Sequence, residues 1–542
     1  MSLLVALLLA TAACSSNDTS TNTSEETTDA VPSVITTPAP AEPTAGGTLV
    51  FGLGAETSDG WDPTTSRWAG SGTIVSRTVF DRLAQYDENH DAQPFLAESI
   101  ASNAEFTVWT IKLRSGINFH DGTPLDATAV KVNLDKHKTS ILTGAVLQIM
   151  GAVEVVDPLT VQVTMNSPWA TFASALTTQV GVVAAPSQYD SDAPAQRPVG
   201  TGPFEFGEWR PDALLTVNKN DSYWMRDQQD RALPYLDSVE FRVLADVQAR
   251  GAALESGAVE AIETFDPAQI LTYRERAQQG QYQIYSDQGR EESVQLVYLN
   301  TAQPPFDDPL ARQIVAYGTD RDTISQTQYL GVFPPTTSLF AESSPFHSDS
   351  GYPTYDLARA TELHEEYKQK YGQPLSFALT LPSTPEFRAI GELVQQTAAG
   401  YGVDISLNLV DQSTLIANGA LGAFEASGFI TFGDPNLDSI FFSGDTVKPI
   451  GEVSLNFSRL SDAELTGYLA DARETDDEAE QVAAWANAER RIAENLNAIF
   501  VVRNATAVIY DTNIFGFQAA QFPDGAAIEA TPAPFMTWAF KT

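Results

Sequence analysis

The stretch from Ile390 to Leu409 restricts the fold more than any other part of the chain. Ile390, Leu393, Val394 and Ala398 recur at helical spacing, and Gly400 can end that helix. Directly behind it, Val403, Ile405, Leu407 and Leu409 alternate with Asp404, Ser406 and Asn408, the period of a strand with one wet face. A helix feeding a half-buried strand is a βαβ-like element of an open sheet. Gly47 to Leu53 reads as a short strand between glycines, and Phe106 to Leu113 places Trp109, Ile111 and Leu113 on one face. Two β-branched runs between Val153 and Met165, split by Asp157-Pro158, predict a hairpin. Thr475 and Glu478 form a capping box ahead of the helical stripe Val482, Trp485, Ile492 and Leu496. At 542 residues the chain exceeds the ~250–300 that one core serves, so several α/β lobes are expected.

The N-terminal region predicts a location outside the cytoplasm. Leu3 to Ala13 is an apolar run too short for a bilayer span, which takes ~20 residues, but of signal-peptide length. The only cysteine, Cys14, follows Thr11-Ala12-Ala13 and resembles the lipidation site of a bacterial lipoprotein. Two features depart from that pattern: Thr11 replaces the usual Leu, and no Lys or Arg precedes Arg67. Residues 15–46 are Ser, Thr, Asn, Asp, Glu, Ala and Pro with almost no large apolar side chain, so a disordered linker is expected between a membrane-tethered Cys14 and a folded head. Lys+Arg number 31 against Asp+Glu 70, a formal charge of −39 that repels phosphate backbones and excludes a nucleic-acid partner.

Signatures of catalysis are missing. The sequence holds no Gly-x-Ser-x-Gly elbow, P-loop or His-Glu-x-x-His helix. His90, His120, His137, His347 and His364 are scattered, so no metal site forms locally, and neither metal nor cofactor is expected. A carboxylate pair assembled in space for hydrolysis stays open as an alternative.

Several phrases, in order, resemble the extracytoplasmic solute-binding proteins of peptide-type ABC importers, the oligopeptide/dipeptide/nickel-binding family. They are Ser58-Asp59-Gly60-Trp61-Asp62-Pro63, Val79-Phe80-Asp81-Arg82-Leu83, and the long run Trp109 to Leu125 that contains His120-Asp121-Gly122-Thr123-Pro124. Val199-Gly200-Thr201-Gly202-Pro203-Phe204, Asn220-Asp221-Ser222-Tyr223-Trp224, Leu299-Asn300-Thr301 with Pro304 to Asp308, and Arg312 through Asp322 follow. The resemblance implies an α/β, periplasmic-binding-protein-like (type II) fold, two lobes with a hinge plus an additional inserted domain. Mapped onto this chain, lobe I combines 47–80, 199–289 and 504–542, the inserted domain II is 81–198, and lobe III is 290–503. Tyr298-Leu299-Asn300 and Val501-Val502-Arg503 would be the crossing strands. His120 reads as a scaffold residue in a turn, and Gly200-Thr201-Gly202-Pro203 as a sharp chain reversal.

The implied function is a lipid-anchored, monomeric subunit that closes on a peptide-like or other polar organic solute and presents it to ABC permease subunits at the outer or periplasmic face of the cell membrane. An oligosaccharide ligand, an extracellular hydrolase, and a sensor or adhesin are the alternatives. One cleft wall would carry Trp61, Arg67 and Trp68, offering flat faces and a guanidinium fork. The other would carry Thr431, Phe432, Gly433, Asp434 and Asn436. Peptide-binding relatives place an acidic residue for the peptide's amine where Thr431 stands, and a neutral hydroxyl cannot supply that charge-assisted bond. Asp434 would have to take over the role.

Overall fold

The computed structural model describes residues 34–36, 38–39, 42–55, 59–68, 70–140, 143–144, 146–287, 293–431, 433, 438–529 and 533–542. An eight-stranded sheet is built from Thr48–Leu53, its parallel neighbours Ser238–Val243 and Ala261–Thr264, and antiparallel strands on both flanks. A five-stranded sheet is ordered Asp404–Val410, Ser376–Pro382, Ala426–Ile430, Val294–Leu299, Ala498–Arg503. A separate four-stranded antiparallel sheet, Ala97–Ser102, Val108–Leu113, Thr160–Met165 and Met150–Asp157, carries its own core around Ile111, Val130 and Phe172. The predicted hairpin at Asp157-Pro158 and the inward face of Trp109, Ile111 and Leu113 are both present.

Two links join the large sheets. Gln283–Asp287 ends in the eight-stranded sheet and Val294–Leu299 begins the five-stranded one; Ala498–Arg503 returns through Asn504 and Ala505 to Thr506–Tyr510. The first crossing therefore precedes Val294, and Tyr298-Leu299-Asn300, expected to cross, lies deep in the five-stranded sheet with Tyr298 and Leu299 buried in its core. The two links are stitched together. Asn504 donates its amide and its Nδ2 to Ser293 O and Oγ (3.0 and 2.7 Å), and Gln295 Nε2 donates to Asn504 Oδ1 (2.9 Å). One core cluster, including Ile262, Ile284, Tyr329, Ile390 and Val502, takes residues from both sides of the links.

Four of the family-like phrases, those carrying Asp81, His120, Thr201 and Tyr223-Trp224, meet at the root of the four-stranded domain. Asp81, where the chain leaves the eight-stranded body, is buried and accepts from Thr201 Oγ1 (3.1 Å), Tyr223 Oη (3.2 Å) and Trp224 Nε1 (3.0 Å). His120 belongs to the same junction: its Nε2 faces Gly202 O at 2.9 Å and its amide donates to Gly200 O. The turn behind it has Gly122 at φ 82° and Asp121 Oδ1 accepting from the Thr123 amide. Gly200 is required by crowding, since a Cβ there would sit 2.0 Å from Val79 O. Gly200→Ala is therefore expected to lower stability by at least about 2 kcal/mol, read as a lower midpoint in urea.

Three local readings change. Val34–Ile35, inside the stretch expected to be disordered, pairs antiparallel with Tyr285 and Ile284, because a β-branched pair can complete an open sheet edge. The helix Glu478–Asn495 is capped by Asp477, whose side chain accepts from Glu480 N, while Thr475 bonds the Glu480 carboxylate instead of forming the box with Glu478. Gly400 does cap Pro385–Ala399, but in right-handed conformation, and the left-handed residue is Gly402 at φ 88°.

Candidate functional site

Parallel strands deliver their C-terminal ends, and the loops that follow, to one edge of a sheet. In the eight-stranded sheet those ends are Leu53, Val243 and Thr264; in the five-stranded sheet they are Pro382, Val410 and Ile430. The crossings fix which way these edges point. Val294, Arg503 and Thr431 share one level of the five-stranded sheet, and Asp287, Thr506 and the residue after Thr264 share the matching level of the other. The two loop-bearing edges therefore flank the same hinge.

The loop after Thr48–Leu53 is pinned by a buried carboxylate. Gly54 N donates to Glu263 Oε1 (2.8 Å), and the Ser71 hydroxyl donates to the same oxygen. Burial pushes the Glu263 carboxyl above its usual range, opposed by those two donors and by Arg250 nearby. Farther along, Asp62 N donates to Ser66 Oγ (3.1 Å), Ser66 Oγ to Asp59 O (3.0 Å), and Gln179 Nε2 from the inserted domain to Pro63 O and Ser66 O. This wall is a fixed surface.

Within it the three sequence candidates have different surroundings. Trp61 is 2% exposed and packs on Phe206 and Trp209, with ring centroids 6.4 and 6.0 Å away. Trp68 is half-buried, stacked on Phe80 at 5.7 Å, and donates Nε1 to Gly60 O (3.2 Å). Arg67 reaches solvent and pairs with Asp59 at 2.9 Å.

On the opposite wall, Thr431 continues the pairing of Ala426–Ile430 with Val294–Leu299. Its amide donates to Val294 O and its Oγ1 accepts from Val294 N, both at 2.9 Å. The Thr431 hydroxyl is thus tied into the hinge. Gly433, at φ 74°, donates its amide to Asp438 Oδ2 (3.0 Å). Phe432, Asp434 and Asn436 lie outside the described residues, as does Cys14. Trp61 is buried in the core, as is Phe442 beyond this wall, so neither offers a free face to a sugar ring.

Sequence reasoning missed a hinge-side network. Tyr329 Oη donates to Gln295 Oε1 (2.6 Å). Burial raises the Glu386 carboxyl, and Asp266 from the other lobe raises it further. Asp266 and Glu386 sit at the starts of helices Pro267–Gln278 and Pro385–Ala399. The Asp-Pro and Thr-Pro-Glu helix-start patterns were the available signals. The inserted domain also touches the five-stranded body: Ala170 N donates to Arg473 O at 2.8 Å, at the end of helix Ala463–Glu474. A cavity of about 370 Å³ lined by Gln313, Tyr317, Arg359 and Glu494 lies at the far end of the five-stranded sheet and plays no part here. Among the described residues no group of three or more His, Cys, Asp or Glu is placed to hold a metal, and no helix is long and apolar enough to cross a membrane.

Two α/β bodies on a pair of stitched links, with loop-bearing edges turned to the same hinge, make the bilobal, periplasmic-binding-protein-like type II fold. Residues 91–448 match the family described as bacterial extracellular solute-binding proteins, family 5. The chain belongs to that family, whose members serve ABC importers. It is similar to the glutathione-binding protein GsiB of Pectobacterium atrosepticum, 25% identical over 461 residues that cover 82% of this chain and 86% of the relative. Its fold is similar to that of DppA from Helicobacter pylori, solved with the peptide STSA: TM-score 0.77, 22% identity, 92% of this chain and 98% of that one. AppA from Bacillus subtilis, solved with a nonapeptide, gives a TM-score of 0.76 at 20% identity, with 92% and 100% covered.

Proposed function

We propose that this protein captures a peptide-like or other polar organic solute between its two lobes and hands it, chemically unchanged, to the transmembrane subunits of an ABC importer. Lobe I is assigned to 47–80, 199–289 and 504–542, the inserted domain to 81–198 and lobe III to 290–503. Cys14 is proposed as the lipid anchor that keeps the monomer at the outer or periplasmic face of the membrane. The observation that carries the reading is the family match across 91–448, joined to walls that meet at a two-link hinge. The names of the relatives, glutathione-binding among them, favour a peptide-like solute. Closure needs only that the solute bind the closed form more tightly than the open one.

Arg67, Trp68, Thr431, Phe432, Gly433, Asp434 and Asn436 are proposed to line the solute, with Trp61 supporting the wall from beneath. Asp266, which a hydrolase would need free to act on a solute, is instead committed to capping its own helix through Gln269 N at 2.7 Å. Capture without turnover is therefore preferred. Native mass spectrometry of the purified protein should find a carried solute, and adding that solute should shift tryptophan emission with no product formed; turnover would defeat the reading. Arg67→Ala removes only an exposed ion pair, so stability should change by less than about 1 kcal/mol while solute affinity falls, as calorimetry can measure.

A further inference from the structure

The wall that carries Arg67 and Trp68 follows the first strand of the eight-stranded sheet, yet its backbone is held by the inserted domain. Trp61 N donates to Ala195 O (2.7 Å), and Trp61 O accepts from Gln188 Nε2 (3.2 Å). Thr64 O accepts from Ser140 Oγ (2.6 Å). Pro63 O and Ser66 O both accept from Gln179 Nε2, at 2.6 and 2.8 Å. Residues 61, 63, 64 and 66 thus all give their carbonyls to the same neighbouring domain.

Of these fastenings, Gln179 lies nearest the side chains proposed to meet the solute. The Ser66 carbonyl belongs to the planar peptide group that joins Ser66 to Arg67, so holding that oxygen fixes the plane from which Arg67 departs. The Pro63 carbonyl lies on the other side of the same turn, which is closed by Ser66 N on Asp62 O (2.9 Å) and Thr64 N on Asp62 Oδ1 (2.8 Å). A primary amide offers two N–H donors on one nitrogen and carries no charge. It can clamp two carbonyls at once without setting a second cation, or an anion, beside Arg67. Gln179 is itself placed by the short 3₁₀ helix Gln179–Gly181, where the Thr178 hydroxyl accepts from Val180 N (3.3 Å) and Val180 is buried in the core of the inserted domain.

We infer that Gln179 is a positioning residue: without touching the solute, it sets how Arg67 and Trp68 are presented and so how tightly the solute is held. This deepens the proposed function and rests on its assignment of Arg67 and Trp68 to the solute. Gln179→Met keeps the length and the neutrality but donates nothing. Gln179→Glu keeps the shape and turns a carboxylate on two carbonyl oxygens. Loop order and affinity should therefore both fall from wild type to Met to Glu.

The test uses the full folded chain, with trialanine and glutathione as probes. In Gln179→Met, amide exchange over residues 64–68 should run about tenfold faster, while the strand Val108–Leu113 of the same domain keeps its wild-type rate. Calorimetry should show the bound probe held about fivefold or more weakly, and weaker again in Gln179→Glu. In an Arg67→Ala background, Gln179→Met should cost at most about twofold further, because a clamp that acts through Arg67 has little left to present; general damage to the fold would add in full. Unaltered exchange, faster exchange with unaltered affinity, or a full further loss in the Arg67→Ala background each overturn the inference. Failure of both probes to bind wild type, with a non-peptide solute carried through purification, defeats the peptide reading instead, and the same variants are then judged with that solute.

Discussion

Asp81→Ala is expected to remove roughly 3–6 kcal/mol of folding stability, because three donors, two of them buried and Trp224 partly so, lose their shared acceptor at about 1–2 kcal/mol each. Asp81→Asn should behave differently. Thr201 and Trp224 both donate to Oδ2, which a carbonyl oxygen reproduces, and the Tyr223 hydroxyl can turn to accept from the new amide. Burial pushes the Asp81 carboxyl from 3.8 up to about 7, with the three hydrogen bonds opposing the shift. A folded-state value above the unfolded one means that the stability contribution is complete below 3.8 and lost as the pH rises through 7. Its full size is about 4 kcal/mol. Urea unfolding at pH 5 and pH 8 should therefore show wild type losing stability at the higher pH and Asp81→Asn losing much less. An alanine variant as stable as wild type at pH 5 would remove Asp81 from its place at the junction.

A second large effect lies on the acid side. His137 is fully buried in the inserted domain, and desolvation lowers it from 6.5 to about 3. Its Nδ1 faces Thr143 Oγ1 at 3.0 Å, that hydroxyl donates to His137 O at 3.2 Å, and Nε2 finds no partner among the described residues. The ring is thus neutral, with Nδ1 as donor. A depressed folded-state value means that the contribution is present above 6.5 and lost as the pH falls toward 3, about 4–5 kcal/mol in all. His137→Phe should cost about 1–2 kcal/mol at neutral pH through the lost hydrogen bond and reshaped packing. At pH 4 the order should reverse, because only wild type must hold a titrating ring in its core. Unfolding both proteins across this range cancels the carboxylate titrations they share, and parallel curves would refute the assignment.

The ordered phrases made the fold class legible, and the reason is now physical: Asp81, His120, Gly200, Thr201, Tyr223 and Trp224 are one interlocked junction, so their identities are mutually constrained. Periodicity found the strands with one wet face, as at Val108–Leu113 and Asp404–Val410. It could not place the first crossing, because Val294–Leu299 is buried along nearly its whole length and gives no alternation that marks where one sheet hands over to the next. The candidate site was legible only as loops. Trp61 and Trp68 look alike in sequence, and their difference arises from which neighbours the chain brings in from far away, Phe206 and Trp209 for one and Phe80 for the other. The Tyr329–Gln295 hydrogen bond joins two separate elements that no local motif connects.

The short pairing of Val34–Ile35 with Tyr285 and Ile284 has a mechanical result. It fastens the incoming chain to the strand that leads into the first link, close to the fulcrum of the jaws. Under the proposed closure about the two links and the proposed anchor at Cys14, a leash knotted at the pivot would be barely dragged as the jaws swing, so opening and shutting would do little work against the tether.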